Sequence, residues 1–358
     1  SSSSKLSVDG FNTHFVSGVH TLAAGLSPSP AASSVFLLES RRPKSQFNIR
    51  PVTVEEVHAA IMALGNSSSA DVYGINSSTL KQVSGLIDEP LAFVINEVFN
   101  LGHIPDVLKC SRTAPVHKKG STDDYDNFRP VSIIPILMKL IEVLLHNQLL
   151  RFCEEEGLIT TAQFGFRKGL STTMAVTRLV QGCLAARDSR RAVGAVMFDL
   201  REAFDLLNVE LLLMKMKFYG FSRPALDLFH SYMTGWCQYV SVGGRFSNFE
   251  KLSVGVRQGS ILGPLLFTLF TNDMPAVVSK LPNGLRECSV ELILYADDST
   301  ALISAKDEAD YQLAAQHVEA QMTKWCDANG LILNVAKTRR MRFGRAGNDR
   351  PNVSLLGL

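Results

Sequence analysis

The chain has 358 residues, 46% of them apolar and 20% charged, with a formal net charge of +2. That is enough for two or three packed subdomains around a sizeable apolar interior, and no apolar run reaches the roughly 18–20 residues that a membrane-spanning helix needs. Six cysteines occur without a single Cys-x-x-Cys pair, which argues against a structural zinc site and against a disulfide framework and leaves reduced, mostly buried thiols. The opening Ser1-Ser2-Ser3-Ser4 has neither an initiator Met nor the basic and apolar regions of a signal peptide, and reads as a piece of a longer frame.

In chain order, the first fifty residues are rich in Ser and Pro, with an apolar cluster at Phe11 and Phe15, and predict a short helix followed by a loosely ordered linker. Thr53-Val54-Glu55-Glu56 is a capping box that opens a helix with Val57, Ile61 and Leu64 on its apolar face, closed by Gly65. A second helix is expected from about Asp88 to Leu101, ended by Gly102, and a third from about Ile136 to Glu156, stopped by Gly157. Another follows Thr172. Ala192 to Leu200 is apolar on both faces, as a central strand is. Helical patterns return over 208–219 and, behind Ser222 and Pro224, over 223–234. Gln238–Val242 reads as a short strand, and Val290–Ala305 as strand, tight turn, strand with Asp297-Asp298 at the turn. A long helix from about Asp307 to Asn329, closed by Gly330, and a strand near Met341–Phe343 complete an α+β pattern without internal repeats.

The acids carry the chemistry. Asp199 ends a buried apolar strand, where an uncompensated carboxylate is expensive. Asp297 and Asp298 directly follow another apolar strand, Leu292-Ile293-Leu294-Tyr295. Three carboxylates at the ends of adjacent strands make sense around cations, because two Mg²⁺ about 3.5–4 Å apart can activate a hydroxyl and stabilise a leaving pyrophosphate. The blander reading of Asp-Asp is ordinary turn chemistry. Between Lys337 and Arg350 there are six Lys or Arg against one acid, a density suited to phosphate contacts.

Tyr295-Ala296-Asp297-Asp298 resembles the Tyr-x-Asp-Asp motif of reverse transcriptases, and Phe198-Asp199 with Ala203-Phe204-Asp205 resembles their first carboxylate motif. Arg257-Gln258-Gly259-Ser260 with Leu262-Gly263-Pro264-Leu265-Leu266-Phe267 is similar to their Gln-Gly turn-plus-helix. Gly330-Leu331, Asn334 and Lys337-Thr338 are similar to the lysine-bearing motif downstream. Asn127-Phe128-Arg129-Pro130-Val131-Ser132 and Gln163-Phe164-Gly165-Phe166-Arg167 resemble fingers motifs of the non-LTR, LINE-type branch, and the chain as a whole resembles the jockey or CR1 groups of that branch. One departure stands at Ser69-Ala70-Asp71-Val72-Tyr73-Gly74-Ile75, where many LINE enzymes have a Gly-x-Asp-Gly loop.

The resemblance implies a right-hand polymerase: an N-terminal extension and linker over 1–50, mainly fingers over 51–190, and mainly palm over 191–344, with an antiparallel sheet packed on helices. Residues 345–358 would be the start of a primer-grip region, with the thumb absent. It implies RNA-directed DNA synthesis on an RNA template and DNA primer from dNTPs. Two Mg²⁺ (or Mn²⁺ as substitute) would be held by Asp199, Asp297 and Asp298. Lys337 would protonate pyrophosphate or bind phosphate. Lys118 and Arg129 would hold the triphosphate, Phe204 would exclude a 2′-hydroxyl, and Gln258-Gly259 would let the backbone approach the nucleotide. Lys119, Arg167, Lys168 and Tyr295 would contact nucleic acid. The enzyme would be intracellular, in nucleus or cytoplasm as a ribonucleoprotein, without membrane contact, with endonuclease and thumb elsewhere in the parent chain. The competing expectation is an inactive or domesticated nucleic-acid-binding remnant of such an enzyme.

Overall fold

Ser7 and Ser29 open the first two helices, α1 (Val8–Ala24) and α2 (Pro30–Leu37), each hydroxyl accepting from the backbone N–H three residues on. The computed structural model describes residues 6–67, 69–252, 255, 259–343 and the backbone of 354–355. Gln258 and most of the segment read as a primer grip lie outside the described residues. The second helix corrects the expected linker: a Ser/Pro-rich composition disfavours helix interiors, yet here the Ser is a cap, the Pro sits in the first turn, and buried Ser33 and Leu37 anchor the helix.

α3 (Val54–Ala63) starts at the expected capping box, with Thr53 accepting from the Glu56 N–H and the Glu56 carboxylate accepting from the Thr53 N–H. It ends at Leu64 without a left-handed glycine. α4 (Ser77–Leu101) begins eleven residues before the expected Asp88 and runs through Pro90 to a left-handed Gly102. Proline normally ends a helix because it lacks an N–H and crowds the preceding turn. Here Leu80, Ala92, Ile95 and Val98 bury a continuous face that carries the helix past it. Asp88 is no cap; it is buried against His58 and Ser84, both 2.7 Å away.

The chain continues through β1 (Cys110–His117), β2 (Phe128–Ile133), α5 (Ile136–Glu155), α6 (Thr172–Asp188), β3 (Ala192–Phe198), β4 (Leu200–Arg201), α7 (Val209–Phe218) and α8 (Arg223–Met233). There follow β5 (Cys237–Val242), β6 (Arg245–Phe246), β7 (Glu250–Lys251), α9 (Gly263–Phe270), α10 (Met274–Val278), β8 (Ser289–Tyr295), β9 (Asp298–Ala305), α11 (Glu308–Asn329), β10 (Ile332–Leu333), β11 (Arg339–Arg342) and β12 (Ser354–Leu355). All six cysteines are free, and no described helix is long and apolar enough to cross a membrane.

The chain forms two compact units. The first comprises 1–25, 43–156 and 204–266. Its sheet runs β2-β1-β5-β6, with β7 also on β5; β1 pairs antiparallel with β2 and parallel with β5. The β1–β2 hairpin has a weak strand signature because Pro115 and Pro130 face each other across it. Phe47, Phe152, Phe221 and Phe229 form one aromatic cluster. Asp71, in the loop that departs from the family pattern, accepts from the N–H groups of Tyr73 and Ile75 and from that of Ile136, the first residue of α5. A buried carboxylate at a helix N-terminus satisfies otherwise orphaned donors.

The second unit comprises 26–42, 157–203 and 267–358, built on an antiparallel sheet in the order β12-β11-β3-β9-β8. Val193 and Leu302 join Cys183 and Ala186 of α6 in one cluster. On the other face Gly194 leaves room for the ring of Tyr311 from α11, whose hydroxyl would lie 2.4 Å from any Cβ there. Helices on both faces explain why β3 is apolar on both.

Candidate active site

Register alone brings the three acids to one end of the sheet. β3 pairs β9 with Phe198 opposite Ser299, and β8 pairs β9 with Tyr295 opposite Asp298. Asp199, one residue past the β3 pairing, therefore neighbours Asp298. Ala296 and Asp297 are the two loop residues of the β8–β9 hairpin. Ala296 has φ +59, a left-handed conformation that short hairpin turns require and that glycine normally supplies.

Asp199 is held by a second segment. β10 pairs with β4, next to Asp199. The Asn334 backbone N–H donates to the Asp199 carbonyl at 2.8 Å, and its side-chain amide donates to Asp199 Oδ2 at 2.7 Å. Lys337 Nζ lies 3.5 Å from the same oxygen. Buried Thr338 closes the turn by donating from N–H and hydroxyl to the Asn334 carbonyl, at 2.9 and 3.0 Å. The Asn334 and Lys337-Thr338 motif is thus a bracket around Asp199. In the sequence Asn334 shows no role of its own; an amide three residues before a lysine carries no chemical signal until β10 brings it to a carboxylate.

Partial burial pushes the Asp298 carboxyl above its usual range, the negative charges of Asp297 and Asp199 push it further, and Lys337 partly offsets them. Such mutual repulsion is what added positive charge relieves. The donor set, all carboxylate oxygen, suits hard divalent cations such as Mg²⁺. Among the described residues no three acidic, His or Cys side chains are grouped so as to hold a metal ion; the aspartates are neighbours by sheet register, with one oxygen of Asp199 already engaged. Asp298 is the most exposed of the three, while Asp199 and Asp297 are half-buried.

The segment 162–167 runs beside the same hairpin. Gln163 is buried and bonded to Ala296, and Gly165 touches that residue's backbone. Arg167 turns its guanidinium inward, donating to the carbonyls of Thr160 and Gln163 at 3.3 and 3.2 Å, while Lys168 is exposed and Tyr295 half-buried.

The other expected residues belong to the first unit. Val116 faces Arg129 across the β1–β2 hairpin, and the Lys118 N–H donates to the Asn127 carbonyl at 2.7 Å. Alternation then puts Lys118 and Arg129 on one face; both are exposed, as is Lys119. Gly259, at φ +96, lies so close to β2 that a Cβ would stand 3.1 Å from the Ser132 carbonyl. Phe204 is half-buried. Gly255, which sequence reasoning passed over, is packed against the backbone of Asp205, 2.4 Å from any Cβ, at φ +83. Only glycine combines that conformation with that approach.

Three aspartates gathered at one end of an antiparallel sheet, one of them paired with a lysine, suit cation-assisted chemistry on phosphate esters. Comparison with known families narrows this. The family described as reverse transcriptase (RNA-dependent DNA polymerase) matches residues 116–358, and the chain belongs to that family. It is 31% identical over 294 residues to a probable RNA-directed DNA polymerase from transposon BS of Drosophila melanogaster, covering 81% of this chain and 32% of that protein. It is 31% identical over 309 residues to the RNA-directed DNA polymerase from mobile element jockey of the same fly, covering 86% and 33%. To a Pol polyprotein from type-1 retrotransposable element R2 of Popillia japonica it is 22% identical over 305 residues, covering 83% and 40%. The chain thus spans about a third of the length of the fly proteins it matches.

Proposed function

We propose that this chain is the catalytic core of an RNA-directed DNA polymerase that extends a DNA primer with dNTPs on an RNA template by a two-metal mechanism. It would act inside the cell as part of a larger mobile-element protein. The observation that carries the reading is the convergence of Asp199, Asp297 and Asp298 at one end of the β3–β9–β8 sheet, within a chain of this family. In right-hand terms the palm is mainly 191–344 and the fingers mainly 51–190.

Asp199 and Asp297 hold two Mg²⁺ or Mn²⁺, with Asp298 as an outlying third carboxylate; the cations would supply hydroxyl activation and charge neutralisation. Asn334 and Lys337 orient Asp199 while the site is empty of phosphate. Lys337 then has the proton and the charge to meet departing pyrophosphate. Lys118 and Arg129, on one face of the β1–β2 hairpin, bind the triphosphate, Arg129 with a fork that suits phosphate oxygens. Gln258-Gly259 flank the nucleotide, and Phe204 fills the space a 2′-hydroxyl would need. Lys119, Lys168 and Tyr295 contact the template–primer.

The test is primer extension on an RNA template with Mg²⁺. Asp199→Ala and Asp297→Ala should each lower the incorporation rate at least about a thousandfold, because each removes a carboxylate that stabilises charge in the transition state. Near-normal extension by either variant refutes the assignment. A wild-type chain that binds primer–template and adds no nucleotide would instead mark an inactive remnant.

A further inference from the structure

One side-chain amide engages both backbone groups of the residue that precedes Asp297. Gln163 is 1% exposed. Its Oε1 accepts from the Gly165 N–H at 2.8 Å and from the Ala296 N–H at 3.2 Å, and its Nε2 donates to the Ala296 carbonyl at 3.4 Å. The main chain on either side is pinned as well. The Phe164 N–H donates to the Leu294 carbonyl and the Leu294 N–H to the Ala162 carbonyl, both at 2.8 Å. Residues 162–164 thereby make a one-residue parallel bridge along the outer edge of β8, centred on Gln163 and Leu294. Gly165 completes the fit: a Cβ there would stand 2.3 Å from the Ala296 nitrogen.

The contact falls where the hairpin is under most strain. Ala296 is an L-residue at φ +59, a conformation of restricted population that persists when its surroundings over-determine it. The peptide plane that carries the Ala296 carbonyl is also the plane that carries the Asp297 nitrogen. Rotating it swings the Asp297 carboxylate away from Asp199 and Asp298. We propose that Gln163 is a positioning residue: its amide locks the two peptide planes around Ala296 and so fixes the direction of Asp297. Asn334 does the same for Asp199 from the other side, through one backbone and one side-chain bond. Two neutral amides thus aim two of the three carboxylates without adding charge to a site that must accept cations.

The consequence for rate rests on the polymerase reading; the consequence for the turn does not. Three forms are compared: wild type, Gln163→Ala, and Gln163→Ala combined with Ala296→Gly. Glycine adopts a positive φ without the penalty an L-residue carries, so the second change removes the strain that the amide holds in check. Single-nucleotide incorporation should show kcat lowered about 10- to 100-fold in Gln163→Ala, the scale of an ångström-sized misplacement of a reacting group. KM for the dNTP should stay within about twofold, since the triphosphate ligands are untouched. Ala296→Gly should restore about fivefold of the loss, the left-handed penalty expressed as a ratio. Hydrogen exchange over 294–298 should rise in Gln163→Ala while the rest of the β8–β9 hairpin stays protected.

Unchanged exchange in that stretch, a kcat loss that glycine does not relieve, or a KM change as large as the kcat change would each overturn the proposal. Should Gln163→Ala fail to fold, Gly165→Ala displaces the same turn from the neighbouring contact and must reproduce the kcat loss and the local exchange. If wild type incorporates nothing while exchange responds as described, the positioning role stands and the polymerase reading falls.

Discussion

Glu142, in the middle of α5, is fully buried. Its Oε1 accepts from the Tyr232 hydroxyl at 2.5 Å and its Oε2 from the Ile261 N–H at 2.8 Å. Ile261 lies two residues past Gly259, so this carboxyl ties α5 to the end of the Gln-Gly segment. Burial pushes the group up to about 7 from its ordinary 4.5, against the opposing pull of Ile261, Tyr232 and the charge of Lys139. Below pH 4.5 the carboxyl is protonated whether the chain is folded or not, and it costs nothing. Between 4.5 and about 7 the folded chain keeps a proton that the unfolded chain has lost, so stability falls as pH rises, by about 1.4 kcal/mol per unit. Above 7 both are ionised and the full penalty, about 3 kcal/mol, is in place.

Glu142→Gln replaces the carboxyl with a neutral group of the same shape. The amide carbonyl can accept from Ile261, and the NH₂ can donate to the Tyr232 oxygen. The variant therefore imitates the protonated form at every pH. Urea unfolding at a series of pH values should find the two proteins about equally stable near pH 4.5. The variant should gain steadily until it leads by about 3 kcal/mol above pH 7. A stability difference that stays constant from pH 4.5 to 8 would refute the argument, since it would mean that the buried group does not titrate in that window. Glu142→Leu should instead be destabilising at every pH, by about 2–3 kcal/mol or more, because it strands two buried donors.

Two further predictions concern nucleotide choice and grip. Phe204→Val should admit ribonucleotides, because a pocket that discriminates only by lack of room loses its discrimination when the side chain shrinks; an unchanged ratio of rNTP to dNTP incorporation would make Phe204 a packing residue. Arg129→Ala should raise KM for dNTP about tenfold or more, on the scale of about 1.5–3 kcal/mol for a charged hydrogen bond. It should leave the Mg²⁺ dependence alone, and equal effects on both would place Arg129 with the carboxylates.

Much of the fold was legible because it is written in local chemistry. The Thr53 to Glu56 capping box, the left-handed glycines at 102, 157 and 330, and the doubly apolar Ala192–Phe198 run each needs only its own neighbours to be read. Local pattern failed where long-range burial overruled it. The helix expected from about Asp88 starts at Ser77 instead, because the buried face of α4 runs on both sides of Pro90. The Ser/Pro stretch before Lys44 reads as linker until Ser33 is found bonded to Asn329 at 2.9 Å. Pro115 and Pro130 hide a hairpin whose evidence is the register between two segments.

The site divides in the same way. Asp199, Asp297 and Asp298 could be named from the sequence because charged residues at the ends of apolar strands need a reason to be there. What holds them could not. Gln163 and Asn334 are ordinary polar residues whose meaning is the group they face, and those groups lie 133 and 135 residues away along the chain. Spacing within a segment encodes which side chains share a face. Only tertiary folding decides which backbone amide or carboxylate an amide meets across the chain, and the aim of each carboxylate is set by those meetings.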